Sequence, residues 1–438
     1  MTRRMALQLP NETLEVIFGD LPPATLAILS RVSDRFNGVA ERLLYTSPVI
    51  TDVITPTSPS PVKTLWWCNA MQRRGREYLL QTTVKKLCIR WQTNPGHQQG
   101  GSGSEPQACP LYLLNACEWL GEVLPRLVGL ESLEIWLGPA NLLPAHELER
   151  LLQHPQYHLQ QRGPSTGVPI IKPMHAIERV LWNCRFPYLR SCSLGAEWKR
   201  GVQPYTPVLT NFLSTLASLR HLRVADLVDR SSLDSLSPNQ LPPCNTLTQL
   251  NSFRGPAGAA ASLIPGRPVQ YLALTGHDSD LHEFNLERMT RGSVPLKSLD
   301  LSAMSIRTML LQNISLNFGC VETLRVRLAL RHTLHFAESG IRILTGLSRV
   351  LSAFSQLSHL DLSPTGLDAY GVGRTDLSEE LGVCKEWSRA CPTLRKVTFP
   401  SLIEWVLIEE AGGMEGSGAV WKCAEVAAST RGGSPTRF

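Results

Sequence analysis

Eleven cysteines and eleven histidines are the side chains of this 438-residue sequence best suited to act as nucleophiles, bases or metal ligands. Such chemistry needs them at set spacings. No two cysteines stand as C-x-x-C, and the histidines are dispersed singly. His146-Glu147 and His282-Glu283 begin like the H-E-x-x-H zinc helix but lack its second histidine. Phosphate cradles (G-x-x-x-x-G-K-[ST] or G-x-G-x-x-G) and the G-x-S-x-G nucleophile elbow are absent. GGSGSE at 100–105 sits in a polar insert with no helix after it. The sequence therefore predicts no catalytic residue, no metal site and no cofactor. What remains are charged residues that bind rather than react. Arg223, Arg325, Arg327, His359 and Asp361 fall at the outward places, 3 and 5 and the next beyond, of a repeating strand pattern. Arginine suits two-pronged capture of carboxylate or phosphate groups, so such a row predicts a site for an acidic or phosphorylated segment of a protein target.

Bulk properties limit the partners. Lys plus Arg is 43 against Asp plus Glu 37, a net +6, and the basic residues fall in scattered pairs such as Arg73-Arg74 and Lys85-Lys86. A nucleic-acid binder gathers its positive charge on one face or stripe, so no nucleic-acid partner is expected. Hydrophobic residues make up 43 % with a mean hydropathy of −0.06, and no run approaches the ~18 apolar residues of a membrane span. No signal peptide follows the basic start MTRRMALQLPNE. Eleven cysteines, an odd number without paired spacing, do not form a disulfide framework. These features place the chain in the cytoplasm or nucleus, away from membranes.

The elements that must position the charged residues repeat along the chain. VKKLCI (from 84), LESLEI (130), LRSCSL (189), LRHLRV (219), LTQLNS (247), VQYLAL (269), LKSLDL (296), VETLRV (321), LSHLDL (357) and LRKVTF (394) share apolar residues at places 1, 4 and usually 6. Places 4 and 6 fall on one face of a strand and 3 and 5 on the other. Leu222 and Val224 are thus expected inside, with His221 and Arg223 outside; Trp136, Asp300, Arg325, Arg327, His359 and Asp361 join that open face. Amphipathic stretches such as LTNFLSTLASL precede many strands. A strand and a helix per unit, at intervals of 22 to 59 residues, predict an α/β solenoid of leucine-rich-repeat type over 84–408. Polar inserts near 92–110 and 154–173 account for the widest intervals, and 409–438 is expected to be a flexible tail.

The first fifty residues follow another period. Leu14, Ile17, Phe18 and Leu21 form one helical stripe after Leu9-Pro10; Leu26, Leu29 and Val32 form a second after Pro22-Pro23; Phe36, Val39, Ala40, Leu43 and Leu44 form a third. TSPVITDVITPTSPSP follows and reads as a linker, so 49–83 is expected to be linker and helical connector. A unit this small rarely builds a sufficient core alone, which predicts that its apolar stripe closes against another protein.

Leu9-Pro10, Glu12, Leu14, Ile17-Phe18, Leu21, Leu26, Leu29, Val32, Phe36 and Tyr45 resemble the F-box pattern over about residues 8–46. Thr13, Ser33, Phe36 and Tyr45 depart from the usual residues conservatively, and the usual repeat asparagine at place 9 is missing, as at Gly138 and Thr365. The resemblance implies an α/β protein with an N-terminal three-helix F-box (1–48) followed by a leucine-rich-repeat-like solenoid. It further implies a substrate receptor of an SCF-type cullin–RING ubiquitin ligase. Leu9, Pro10, Leu14, Ile17, Phe18, Leu21, Leu26, Leu29, Val32 and Phe36 would then dock on a Skp-family adaptor, the repeats would hold the target protein, and the chain would not be an enzyme. The competing expectation is a non-catalytic repeat scaffold that recruits no ligase.

Overall fold

The computed structural model describes residues 9–55, 58–73, 82–93, 110–138, 176–196, 207–226, 246–329, 342–365, 377–409 and 419–424. Most of the two expected inserts and most of 409–438 lie outside the described residues. The chain divides into two compact units, Met1–Gln249 and Leu250–Phe438, and the stretch 84–408 spans both.

The first unit opens with three helices, α1 (Asn11–Gly19), α2 (Pro23–Leu29) and α3 (Asp34–Thr46). Pro23 starts α2, where its fixed φ and missing N–H cost nothing. Ser33 caps α3 by accepting a hydrogen bond from Phe36 N at 3.2 Å. Leu14, Phe18, Leu26, Val39 and Ala40 close a small core, with Leu21, Leu29, Phe36, Leu43 and Leu44 packed against it. The rings of Phe18 and Phe36 meet edge to face, 5.3 Å apart.

The repeats follow without a break. β1 (Val49–Ile54) pairs in parallel with β2 (Lys86–Thr93), and β3 (Ser132–Trp136), β4 (Ser191–Ala196) and β5 (His221–Asp226) add in order. The helices α4 (Val62–Gln72), α5 (Pro110–Val123), α6 (Ala176–Leu181) and α7 (Pro207–Ser214) separate the strands, and each packs on the next. The register repeats place for place: Leu87, Leu133, Cys192 and Leu222 lie side by side, as do Ile89, Ile135, Leu194 and Val224. All eight are buried. From β2 to β5 the second-place carbonyl of one repeat accepts two N–H groups from the next, as Lys85 O does from Glu131 and Ser132, and Glu131 O from Arg190 and Ser191.

The stretch TSPVITDVITPTSPSP, expected as a linker, therefore carries the first strand of the sheet. Thr46 O accepts from Lys85 N at 2.9 Å and Pro48 O from Cys88 N at 3.0 Å. Tyr45 and Thr46, the last residues of α3, thus occupy the first two places of a repeat. Buried Asp52 holds the next helix. Its carboxylate accepts from Lys63 N, Thr64 N and Thr64 Oγ1 at 2.7–2.9 Å, and Trp91 Nε1 donates to Thr64 Oγ1 at 3.0 Å.

The second unit repeats the plan. β6 (Ser252–Pro256), β7 (Tyr271–Thr275), β8 (Ser298–Ile306), β9 (Thr323–Leu328), β10 (His359–Asp361) and β11 (Lys396–Thr398) are parallel. Their helices are α8 (Ala257–Leu263), α9 (Glu283–Thr290), α10 (Thr308–Asn317), α11 (Ser348–Leu351) and α12 (Leu377–Ala390). The repeat read from Leu247 is displaced by three residues. Ser252 pairs with Tyr271, so Leu250 holds place 1 and Phe253 place 4. β12 (Glu404–Glu409) and β13 (Ala419–Ala424) then turn antiparallel, so part of the stretch expected as a flexible tail is an ordered strand. Trp405 Nε1 donates to buried Glu380 at 2.8 Å and Trp421 Nε1 to Ser388 Oγ at 2.7 Å, fastening this hairpin to α12.

Candidate functional site

The ten residues expected to face an adaptor separate into two groups. Leu14, Phe18 and Leu26 are at most 5 % exposed and belong to the core of the three helices; Leu21, Leu29 and Phe36 pack half-buried around it. The expectation that this stripe cannot be buried within the unit is corrected: α3 supplies the covering surface. Leu9, Pro10, Ile17 and Val32 are exposed, Ile17 at 49 % and Val32 at 61 %. Val16 at 76 % and Ile28 at 67 % are also exposed, although neither belongs to a helical stripe. The signal for them is an apolar residue off the core stripe: Val16 precedes Ile17 on α1, and Ile28 follows Leu26 by two on α2. Ion pairing fixes the helices beneath. Arg42 meets Glu15 at 2.8 Å, and Arg35 donates to Asn11 Oδ1 at 3.0 Å and to the Leu9 carbonyl.

The structure also relocates the charged residues of the open face. Arg223 lies exposed on β5 in the first unit. The other four lie in the second, on neighbouring strands, where Asp300 stands beside Arg325 and Arg325 beside Asp361. Arg325 Nε lies 3.1 Å from Asp361 Oδ2, yet this buried N–H is not aligned for a hydrogen bond. The contact is an ion pair without directed donation. Asp300 and Asp361 each accept from the backbone two residues on, Ser302 N at 2.8 Å and Ser363 N at 2.9 Å. The row is thus of alternating sign, and Arg325 is already matched by a carboxylate. Lys396 is likewise matched by Glu404 at 2.6 Å. His359 is exposed, its Nδ1 2.8 Å from Ser358 Oγ, and burial of part of the ring with Lys396 nearby lowers its pKa.

Several buried thiols do not suit nucleophilic chemistry. Burial raises Cys68, Cys117 and Cys184 to about 12 and half-buried Cys88 to about 11, whereas a reactive thiol is shifted down. His277 approaches both Asp278 (2.8 Å) and Ser279 Oγ (3.0 Å), but through the same ring nitrogen, Nδ1. A proton relay needs opposite nitrogens for the two contacts. Among the described residues no three His, Cys, Asp or Glu side chains gather as a metal site, and no helix is long and apolar enough to cross a membrane.

A family model described as F-box-like matches residues 6–51. The chain carries an F-box-like domain. Leucine-rich-repeat-like strand and helix units follow it, as the registers above show. No curated protein matches the sequence. Among solved structures, an internalin (InlF) from Listeria monocytogenes aligns over 90 % of this chain and 92 % of its own at 16 % identity and a TM-score of 0.28. A yeast Rad7 and Elc1 complex aligns over 89 % and 86 % at 13 % identity and a TM-score of 0.34. Similarity at this level assigns neither function nor partner. Among the described residues of the F-box-like domain, the large exposed apolar residues are Leu9, Val16, Ile17, Ile28, Val32 and, at the start of β1, Val49.

Proposed function

We propose that the chain is the substrate-recognition subunit of an SCF-type cullin–RING ubiquitin ligase, docking on a Skp-family adaptor and carrying a target protein on its repeats. The observation that carries this reading is the F-box-like domain at 6–51, whose helices fold on a core of their own yet leave large apolar side chains in water. Large apolar side chains left exposed on a small unit favour a protein partner. In this reading the chain performs no chemistry; it brings a target to the ligase inside the cell, in cytoplasm or nucleus. The open face of the repeats is the surface assigned to the target, with Arg223, Arg327 and His359 exposed on it and Arg325 and Asp361 engaged with each other. Co-expression with a Skp adaptor and cullin tests the proposal. A stable complex that dissociates on changing Ile17 and Val32 to Asp is expected. A chain that purifies alone, with its repeats folded, would leave a repeat scaffold without ligase recruitment.

A further inference from the structure

The charges on the open face of the second unit sort into matched and unmatched groups. Arg325 is matched by Asp361 and Lys396 by Glu404. Among the described residues, Arg254 on β6 and Arg327 on β9 meet no carboxylate, and Asp300 on β8 meets no cation while it caps Ser302 N. Tyr271 stands exposed on β7 between Ser252 and Ser298, with small Ala273 two places further along its strand. In strand order these are a free cation on β6, an aromatic platform on β7, a free anion on β8 and a free cation on β9; Arg254, Ala273, Asp300 and the matched Arg325 lie level, Tyr271 two residues before that row and Arg327 two residues after it.

We propose that this face binds an extended peptide of complementary charge order, with an anionic side chain on Arg254, an apolar one against Tyr271, a basic one on Asp300 and a second anionic one on Arg327. Strands lie about 4.8 Å apart and an extended chain advances about 3.3 Å per residue, so Asp300 is about 10 Å from Arg254, and Arg327, three strands across and two residues further along, is about 16 Å away. The basic residue then falls about three places, and the second anion about five places, after the first anion. The pattern is anion–apolar–x–cation–x–anion. Carboxylate and phosphate share the chemistry that arginine captures, and either fits. The proposal rests on the repeats being the target-binding part of a receptor.

The test uses the full chain and a fluorescent peptide centred on Glu-Leu-Ala-Arg-Ala-Glu, a copy with both Glu replaced by phosphoserine, and the reversed Lys-Leu-Ala-Glu-Ala-Lys. Anisotropy titrations should show the first or second peptide bound at least about tenfold more tightly than the third, since two exposed ion pairs and one reversed contact together reach that range. Tighter binding of the phosphoserine copy assigns a phosphorylated target; equal binding assigns an acidic one. R254E/R327E should abolish the preference, and R254K/R327K should keep it. Equal affinity for all three peptides, no binding up to millimolar, or a preference that survives R254E/R327E would overturn the proposal. Adaptor binding measured on the same preparation separates the two failures: a chain that binds adaptor but not peptide retains the receptor reading and loses this face.

Discussion

Ile17 and Phe18 are neighbours in sequence and opposites in the structure. Phe18 is 4 % exposed beneath α3, whereas half of Ile17 faces water. Ile17→Asp should leave the melting temperature of the chain nearly unchanged and reduce adaptor affinity by roughly tenfold or more, since a buried Ile at an interface contributes about 1.5–3 kcal/mol. Phe18→Asp should unfold the three-helix domain, because removing a core aromatic alone costs about 3–5 kcal/mol. Circular dichroism with a binding titration distinguishes the two; equal behaviour would show that the exposed and buried sets are misassigned. A double change would merge a binding defect with a folding defect. His221 and His359 carry a second prediction at this scale. Partial burial lowers both from an ordinary 6.5, with Arg220 and Lys396 respectively adding to it. The folded state therefore holds fewer protons than the unfolded one, so stability is full above 6.5 and falls as pH drops through that value and below it. Melting temperatures of H221Q/H359Q between neutral and mildly acidic pH should decline less steeply than those of the parent chain.

At the scale of elements, the βαβ step formed by β1, α4 and β2 depends on one carboxylate. Asp52 is 5 % exposed and accepts three hydrogen bonds at the start of α4. Asp52→Ala should cost about 2–4 kcal/mol, as hydrogen bonds to a charged group contribute about 1.5–3 kcal/mol each and do not add fully. Urea titration would read the loss, and an unchanged midpoint would refute the role. The same residue explains why this strand was hard to read. In Val49–Ile54 the inward places are Ile50, Asp52 and Ile54, so a charge interrupts the apolar alternation among Ser, Thr and Pro residues typical of linkers. Elsewhere places 4 and 6 are uniform, and the strands of LESLEI, LRHLRV and VETLRV fall where their spacing puts them. The displaced repeat at Leu250 has a different cause. An extra buried apolar residue precedes place 1 by three positions in many units, as at Leu127, Phe186, Leu216 and Leu247. L-x-x-L can therefore be fitted in two registers, and only pairing with β7 chooses between them. The adaptor stripe was legible as helical period, but a period alone does not say which side α3 covers. The matched pairs on the open face depend on strand neighbours far apart in sequence, such as Arg325 and Asp361.

For the whole molecule, the decisive feature is the joint between the F-box-like domain and the first repeat. α3 ends at Thr46, β1 begins at Val49, and the Thr46 and Pro48 carbonyls are already bonded to the second strand. In the proposed receptor, inserting a flexible Gly/Ser hexapeptide after Thr46 should preserve adaptor affinity and change which target lysines receive ubiquitin, read by peptide mapping of a reconstituted reaction. An unchanged lysine pattern would show that this joint does not set the reach. Held by those backbone hydrogen bonds, the joint works like the stock of a caliper: in the proposed receptor it sets the spacing between the adaptor-docking helices and the first repeat. The same bonding means that no cut between residues 46 and 54 yields two intact halves, because the severed piece takes the outermost strand of the other with it.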